Sequence, residues 1–337
     1  MPHFLIERRQ FQFLFNNQPQ YAMQHQTTSF SGKEEGVPSS GLLSHTFESI
    51  AIFSERHGLT PTESDSIAAL IKKSYLSETG FSVSNNHFLP HSEIARELID
   101  FLLGKMVTSS KVIGLDHLRL AISSGKRIII AFNHISHTDA LLVRHLLVHA
   151  GFTVEILWVA GHKVWKLPEV RAYSRCVPMF TIYSDKYKSE EKRNQNDAEY
   201  VRMMRHNAGT LREIATTEGL IGYFPGGRRD DFEDIPNLSG DPESVKLLEM
   251  MSAGSKKGLL IIPARHFGSG HILDQSSDKA SNDFLRYTNS GPASLVFGKP
   301  IEWADIWPVD IRKEEKPAAR IKIVRHIMGL IAALEAV

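Results

Sequence analysis

Three things are scarce in this chain of 337 residues: cysteine, long apolar runs, and an excess of charge of either sign. The single cysteine, Cys176, excludes an intramolecular disulfide and fits a reducing compartment. One free thiol reads more plainly as a small semi-buried residue than as a redox centre. No apolar run approaches the roughly 18–20 residues that a membrane-spanning helix needs. The longest candidates, Phe152–Ala160 and Gly258–Ala264, are strand-sized. Met1–Phe15 is interrupted by Glu7, Arg8, Arg9, Gln10 and Gln12, so it has no continuous signal-peptide core. The formal charge is only +1, which gives no global electrostatic case for nucleic acid or for an anionic membrane surface. A soluble protein is expected, with no nucleic-acid partner and at most peripheral membrane contact.

What is present is apolar content of 42%, enough for one large α/β domain and a smaller appendage. Asn16–Gly41 is rich in Gln, Ser and Gly and carries Pro19 and Pro38. Residues 1–41 are therefore expected to be a mobile N-terminal segment. From Leu42 to Leu120 the pattern is helical. Leu43–Ser54 has apolar residues at helical spacing, Thr60-Pro61-Thr62-Glu63 opens a second helix, Ser92-Glu93-Ile94 a third, and Asp116–Ser123 fits a short fourth. Few β-branched runs occur here, so 42–120 is expected to form a smaller helical domain.

After Gly125 strand-like runs appear at Arg127–Phe132, Thr153–Val159, Val177–Tyr183, Leu220–Phe224, Gly258–Pro263 and Ser294–Phe297. Helical patterns at Ala140–Ala150, Ala198–Thr217 and Ser244–Ala253 separate most of them, and an amphipathic segment, Ala318–Ala336, closes the chain. This alternation predicts an α/β domain over 121–337: a mostly parallel, twisted sheet flanked by helices. No internal repeat is visible.

The most informative stretch is Asn133-His134-Ile-Ser-His-Thr-Asp139, directly after the run Arg127–Phe132. His134 stands where a buried strand ends and a helix begins, a place where a fold has little use for a histidine and where α/β proteins often do chemistry. Asp139 falls in the first helical turn, which favours an anion. If the turn folds back, the carboxylate can orient the imidazole, making a general-base pair. A solvated turn that happens to hold two histidines and an aspartate is the plainer alternative. A metal set of His134, His137 and Asp139 is another, weakly signalled by two histidines three apart.

Two further motifs sit at strand ends. Phe224-Pro225-Gly226-Gly227-Arg228-Arg229-Asp230 joins a Gly-Gly turn, whose amides can approach an anion, to two forked guanidinium groups. That suits a phosphate monoester, against the alternative of arginines paired with Asp230 and Asp231. Ile182-Tyr183-Ser184-Asp185-Lys186-Tyr187 places Lys186 where it can add charge to the same anion.

Together these three pieces resemble one family, the soluble plastid-type glycerol-3-phosphate acyltransferases of the His-x4-Asp glycerolipid acyltransferase superfamily. That family carries a His-x4-Asp block, then a Tyr-Ser-Lys-Lys-His segment, then a Gly-Gly-Arg-Asp-Arg segment, behind a helical N-terminal domain. The resemblance covers roughly residues 42–310, and Leu260-Ile-Ile-Pro263 also fits. It implies transfer of a fatty acyl group from a thioester, on acyl carrier protein or coenzyme A, to the 1-hydroxyl of glycerol 3-phosphate, with no cofactor and no metal. It implies that His134 is the base and Asp139 its partner, with Lys186 and Arg228 on the phosphate. Two departures stand out: the family's histidine after the lysine is Tyr187 here, and its second arginine falls on Asp230. Either Arg229 takes that arginine's role or the phosphate site has one cation fewer. A membrane lysophosphatidate acyltransferase shares the His-x4-Asp block but usually carries Glu after the first Gly of its Phe-Pro-x-Gly segment, and a non-catalytic acyl-carrier-protein or lipid-binding protein is the remaining alternative. Residues 1–41 lack the Ser/Arg bias of a transit peptide, so a bacterial cytoplasm is expected in preference to a plastid stroma.

Overall fold

Arg127–Phe132 forms strand β3, as its β-branched run predicts. Its side chains alternate between two cores: Ile128, Ile130 and Phe132 enter one, Ile129 and Ala131 the other. A strand apolar on both faces has to be covered on both. Each fully buried isoleucine of this kind contributes about 1.5–3 kcal/mol, so β3 can only be a central strand.

The computed structural model describes residues 40–77, 88–89, 91–136, 138–161, 175–183, 198–227, 240–272, 285, 288–308 and 310–335. Among them the other strands are β1 (Phe88–Leu89), β2 (Val107–Ile113), β4 (Ile156–Gly161), β5 (Met179–Ile182), β6 (Leu220–Tyr223), β7 (Leu259–Phe267), β8 (Gly291–Phe297) and β9 (Ile301–Glu302). They form one sheet of nine strands in the order β1-β5-β4-β6-β3-β7-β8-β2, with β9 paired to β7. The run β5-β4-β6-β3-β7 is parallel throughout, and β8 and β2 pair in parallel. The β1–β5, β7–β8 and β7–β9 pairs are antiparallel. The α/β class and the mostly parallel sheet are thus as the alternating pattern predicts.

Helices cover both faces. Residues of α1 (Ser40–Arg56), α2 (Pro61–Ser77), α3 (Glu93–Met106), α4 (Leu115–Ser123) and α5 (Asp139–His149) share one core with the sheet. Residues of α6 (Ala198–Thr216), α7 (Ser244–Ala253), α9 (Trp303–Ile306) and α10 (Lys316–Ala332) share the other. The short α8 (Ser269–Ile272) follows β7. No described helix is long and apolar enough to cross a membrane.

The expected helical domain over 42–120 needs correcting. Its helices are there, but Ile50, Phe53, Ile67, Leu98, Ile99 and Leu102 bury into the same core as β3. Moreover β1 and β2 come from this segment, and residues 39–337 make one compact unit. The reason is physical: α3 buries its apolar stripe against the sheet, so helices and sheet have no boundary near residue 120. Of the expected mobile segment, 1–39 lies outside the described residues, and Ser40 and Gly41 begin α1.

Because the central run is parallel, the C-terminal ends of β5, β4, β6, β3 and β7 share one edge of the sheet. Phe132, Tyr223 and Phe267 all end there, on adjacent strands. Ligands of open α/β sheets bind outside this edge.

Candidate active site

His134 follows β3 by two residues, and Asp139 opens α5. The intervening turn folds back on itself, so that His134 Nδ1 lies 2.9 Å from Asp139 Oδ2. The carboxylate is fully buried, while the His134 side chain retains 18% exposure. The imidazole is therefore open to a molecule at the sheet edge, and the carboxylate is not.

The turn is built around the carboxylate. Asp139 accepts hydrogen bonds from the backbone N–H of Ile135 at 2.6 Å and of Ser136 at 2.9 Å, and from the Ser136 hydroxyl at 3.1 Å. Ser269, first residue of α8, donates its hydroxyl to Asp139 Oδ1, the oxygen that the Ser136 hydroxyl also reaches. Gly268 makes that approach possible: it takes φ +97°, and a Cβ there would strike the Pro292 carbonyl. Burial alone would push the Asp139 carboxyl up; attraction to His266 and hydrogen bonds from His134 and His266 outweigh it and hold the group well below the usual carboxylate range. Asp139 therefore stays ionised, and an ionised partner on Nδ1 leaves Nε2 as the basic nitrogen of His134.

Two residues hold this pair from neighbouring strands. On the β7 side, His266 is fully buried, with Nε2 3.0 Å from the Asn133 carbonyl oxygen and 3.5 Å from Asp139 Oδ2. The Asn133 amide answers with two bonds, donating to the His266 carbonyl at 3.0 Å and accepting from the His266 N–H at 2.9 Å. On the β6 side, the His134 ring stacks on Phe224, which in turn stacks on Trp158.

Phe224 begins the second motif. Phe224-Pro225-Gly226-Gly227 is a turn closed by Gly227 N–H donating to the Phe224 carbonyl at 3.1 Å. Gly227 takes φ +63°, and a Cβ there would come within 2.8 Å of Asp241 Oδ2. Only glycine meets both conditions without strain. The Gly-Gly turn therefore leaves the sheet edge beside His134. Two strands away, Tyr183 is pinned by Asn207, whose side-chain amide bonds both its N–H and its carbonyl at 2.7 Å.

Of the residues singled out from sequence, the structure brings His134 and Asp139 together. Lys186, Tyr187, Arg228 and Arg229 lie outside the described residues, as does His137. Gly227 and Tyr183, described residues that precede the two cationic segments, both stand at the edge that carries His134. Among the described residues no cluster of His, Cys, Asp and Glu could hold a metal ion. Sequence reasoning missed His266, Ser269 and the stacking role of Phe224. A histidine three residues beyond the predicted strand Gly258–Pro263 was the available signal for His266.

Residues 109–266 match the model of the family described as Acyltransferase, a segment running from β2 to β7 and containing His134, Asp139 and His266. No curated protein matches the chain. Among solved structures, the chain is similar to the 1-acyl-sn-glycerophosphate (LPA) acyltransferase PlsC from Thermotoga maritima, at 15% identity over 88% of this chain and 97% of that one, with a TM-score of 0.40.

Proposed function

We propose that the protein transfers a fatty acyl group from an acyl carrier protein thioester, or from acyl-coenzyme A, to the 1-hydroxyl of glycerol 3-phosphate, giving lysophosphatidate. The observation that carries this reading is the His134–Asp139 pair, joined at 2.9 Å at the C-terminal edge of a parallel sheet, inside the matched acyltransferase segment.

His134 Nε2 takes the proton as the 1-hydroxyl oxygen attacks the thioester carbonyl. General-base help of this kind is worth about 10²–10⁴-fold. Asp139 holds the tautomer and stabilises the imidazolium that forms, as in a catalytic triad without its serine. The tetrahedral intermediate then collapses, the C–S bond breaks, and the thiolate of the carrier leaves with the proton from His134. Lys186, Arg228 and Arg229 would bind the phosphate, each charged hydrogen bond contributing about 1.5–3 kcal/mol. Holding the phosphate fixes the hydroxyl against His134. This acceptor choice rests on the Gly226-Gly227-Arg228 motif and its resemblance to the plastid-type enzymes.

The test is incubation of purified protein with an acyl carrier protein thioester or acyl-coenzyme A and, separately, glycerol 3-phosphate, lysophosphatidate and glycerol. Lysophosphatidate formed from glycerol 3-phosphate, with glycerol a very poor acceptor, is the expected result. Faster acylation of lysophosphatidate than of glycerol 3-phosphate would move the reading to the second acylation step. No transfer from either thioester to any acceptor would overturn it.

A further inference from the structure

We propose that His266 is a positioning residue for the His134–Asp139 pair. Its Nε2 faces two acceptors, the Asn133 carbonyl oxygen at 3.0 Å and Asp139 Oδ2 at 3.5 Å, so Nε2 carries a hydrogen. The Asn133 carbonyl belongs to the peptide whose nitrogen is that of His134. One imidazole edge therefore touches both halves of the pair: the peptide from which the base hangs and the carboxylate that aims it.

The grip is mutual. Sheet pairing between β3 and β7 ends at Phe132 and Ala264. Beyond it the two chains are held by side chains, with the Asn133 amide bonding the N–H and carbonyl of His266. His266 cannot be a second base, because its side chain is wholly buried while that of His134 is partly open. Nor does packing explain a histidine there. Its Nδ1 is buried with no hydrogen-bond partner among the described residues, a cost that an apolar side chain of similar size would avoid. What an apolar side chain lacks is the Nε2 donor.

This inference rests on the acyl-transfer reading for its kinetic arm only. His266→Leu removes the donor and keeps an apolar filling, whereas His266→Gln places an amide N–H near the position of Nε2. The leucine variant should lose about 10–100-fold in kcat with KM for both substrates almost unchanged, and the glutamine variant should recover most of that loss. The second arm needs no substrate: the low-field proton resonance of the His134–Asp139 hydrogen bond, identified by its absence from His134→Gln, should move or broaden in His266→Leu and return in His266→Gln. A leucine variant with wild-type kcat, or with an unchanged low-field resonance, overturns the inference. So does a glutamine variant no better than leucine in either arm. If leucine prevents folding, glutamine against wild type still decides. If the wild type transfers acyl groups to no acceptor, the functional reading fails, and the resonance alone decides the role of His266.

Discussion

The imidazole of His134 lies almost flat on the ring of Phe224, with centroids 4.2 Å apart and planes 18° from parallel. Phe224 stacks on Trp158 at 5.3 Å, and Trp158 packs against Phe132 at 4.9 Å. The His134 ring is thus fastened from the side to an aromatic column whose far members, Trp158 and Phe132, are buried, as well as from behind by Asp139.

Phe224→Leu should therefore reduce kcat by about tenfold or more, since leucine fills part of the space but offers no flat surface. An aromatic pair contributes about 0.5–1.5 kcal/mol beyond its burial, so the stability loss should be of that order. Phe224→Tyr should keep most of the activity. Steady-state kinetics beside urea denaturation separates the two effects, and equal loss in both variants would remove the stacking argument.

Asp139→Asn keeps the size of the side chain but offers a donor where an acceptor is needed. The orienting carboxylate of a serine-protease triad loses about 10⁴-fold in kcat on the same change, and a fall of several orders of magnitude is expected here. There is also an acid signature. The Asp139 carboxyl is held below its usual range in the folded protein, so the folded state binds fewer protons in acid than the unfolded state. Its stabilisation is complete above the unfolded value of about pH 4 and is lost progressively as pH falls below it. Urea midpoints measured from neutral pH into acid should show this decline in the wild type and a flatter acid limb in Asp139→Asn.

Asn133→Ala should act on stability as well as on rate. It leaves the buried N–H and carbonyl of His266 without the Asn133 amide that pairs both. An unsatisfied buried group costs about 1–3 kcal/mol, so a loss of several kcal/mol is expected in chemical denaturation. A loss below about 1 kcal/mol would mean that water replaces the amide.

Much of this architecture is legible in the sequence, and the gaps have physical causes. Arg127–Phe132 is visible because a strand buried on both faces must be uniformly apolar. The segment Val107-Thr-Ser-Ser-Lys-Val-Ile113 is invisible for the opposite reason: it is an edge strand with an exposed polar middle, and edge strands need neither apolar runs nor alternation. Missing it made residues 42–120 look wholly helical. His134 and Asp139 are readable because their link is local in sequence. His266 and Ser269 reach the same carboxylate across about 130 residues, and only the pairing of β7 beside β3 brings them there.

Arg228→Ala should raise the KM for glycerol 3-phosphate sharply and leave that for the acyl thioester nearly unchanged. Arg229→Ala distinguishes the two forms of the proposed phosphate site: a large effect gives Arg229 the place of the second arginine of the plastid-type segment, and a negligible one means fewer cations. Gly227→Ala should mimic a milder Arg228→Ala, because a Cβ at φ +63° within 2.8 Å of Asp241 displaces the start of that segment. Wild-type KM in the Arg228 variant would end the phosphate-site argument.

The most direct test of the account is the rate of lysophosphatidate formation from glycerol 3-phosphate and an acyl thioester, compared between wild type, His134→Ala and His137→Ala at matched folded fraction. The account predicts a loss of two or more orders of magnitude for His134→Ala, in line with the general-base range of about 10²–10⁴, and a much milder loss for His137→Ala. Near-wild-type turnover in His134→Ala, or the reverse order of the two variants, would contradict it.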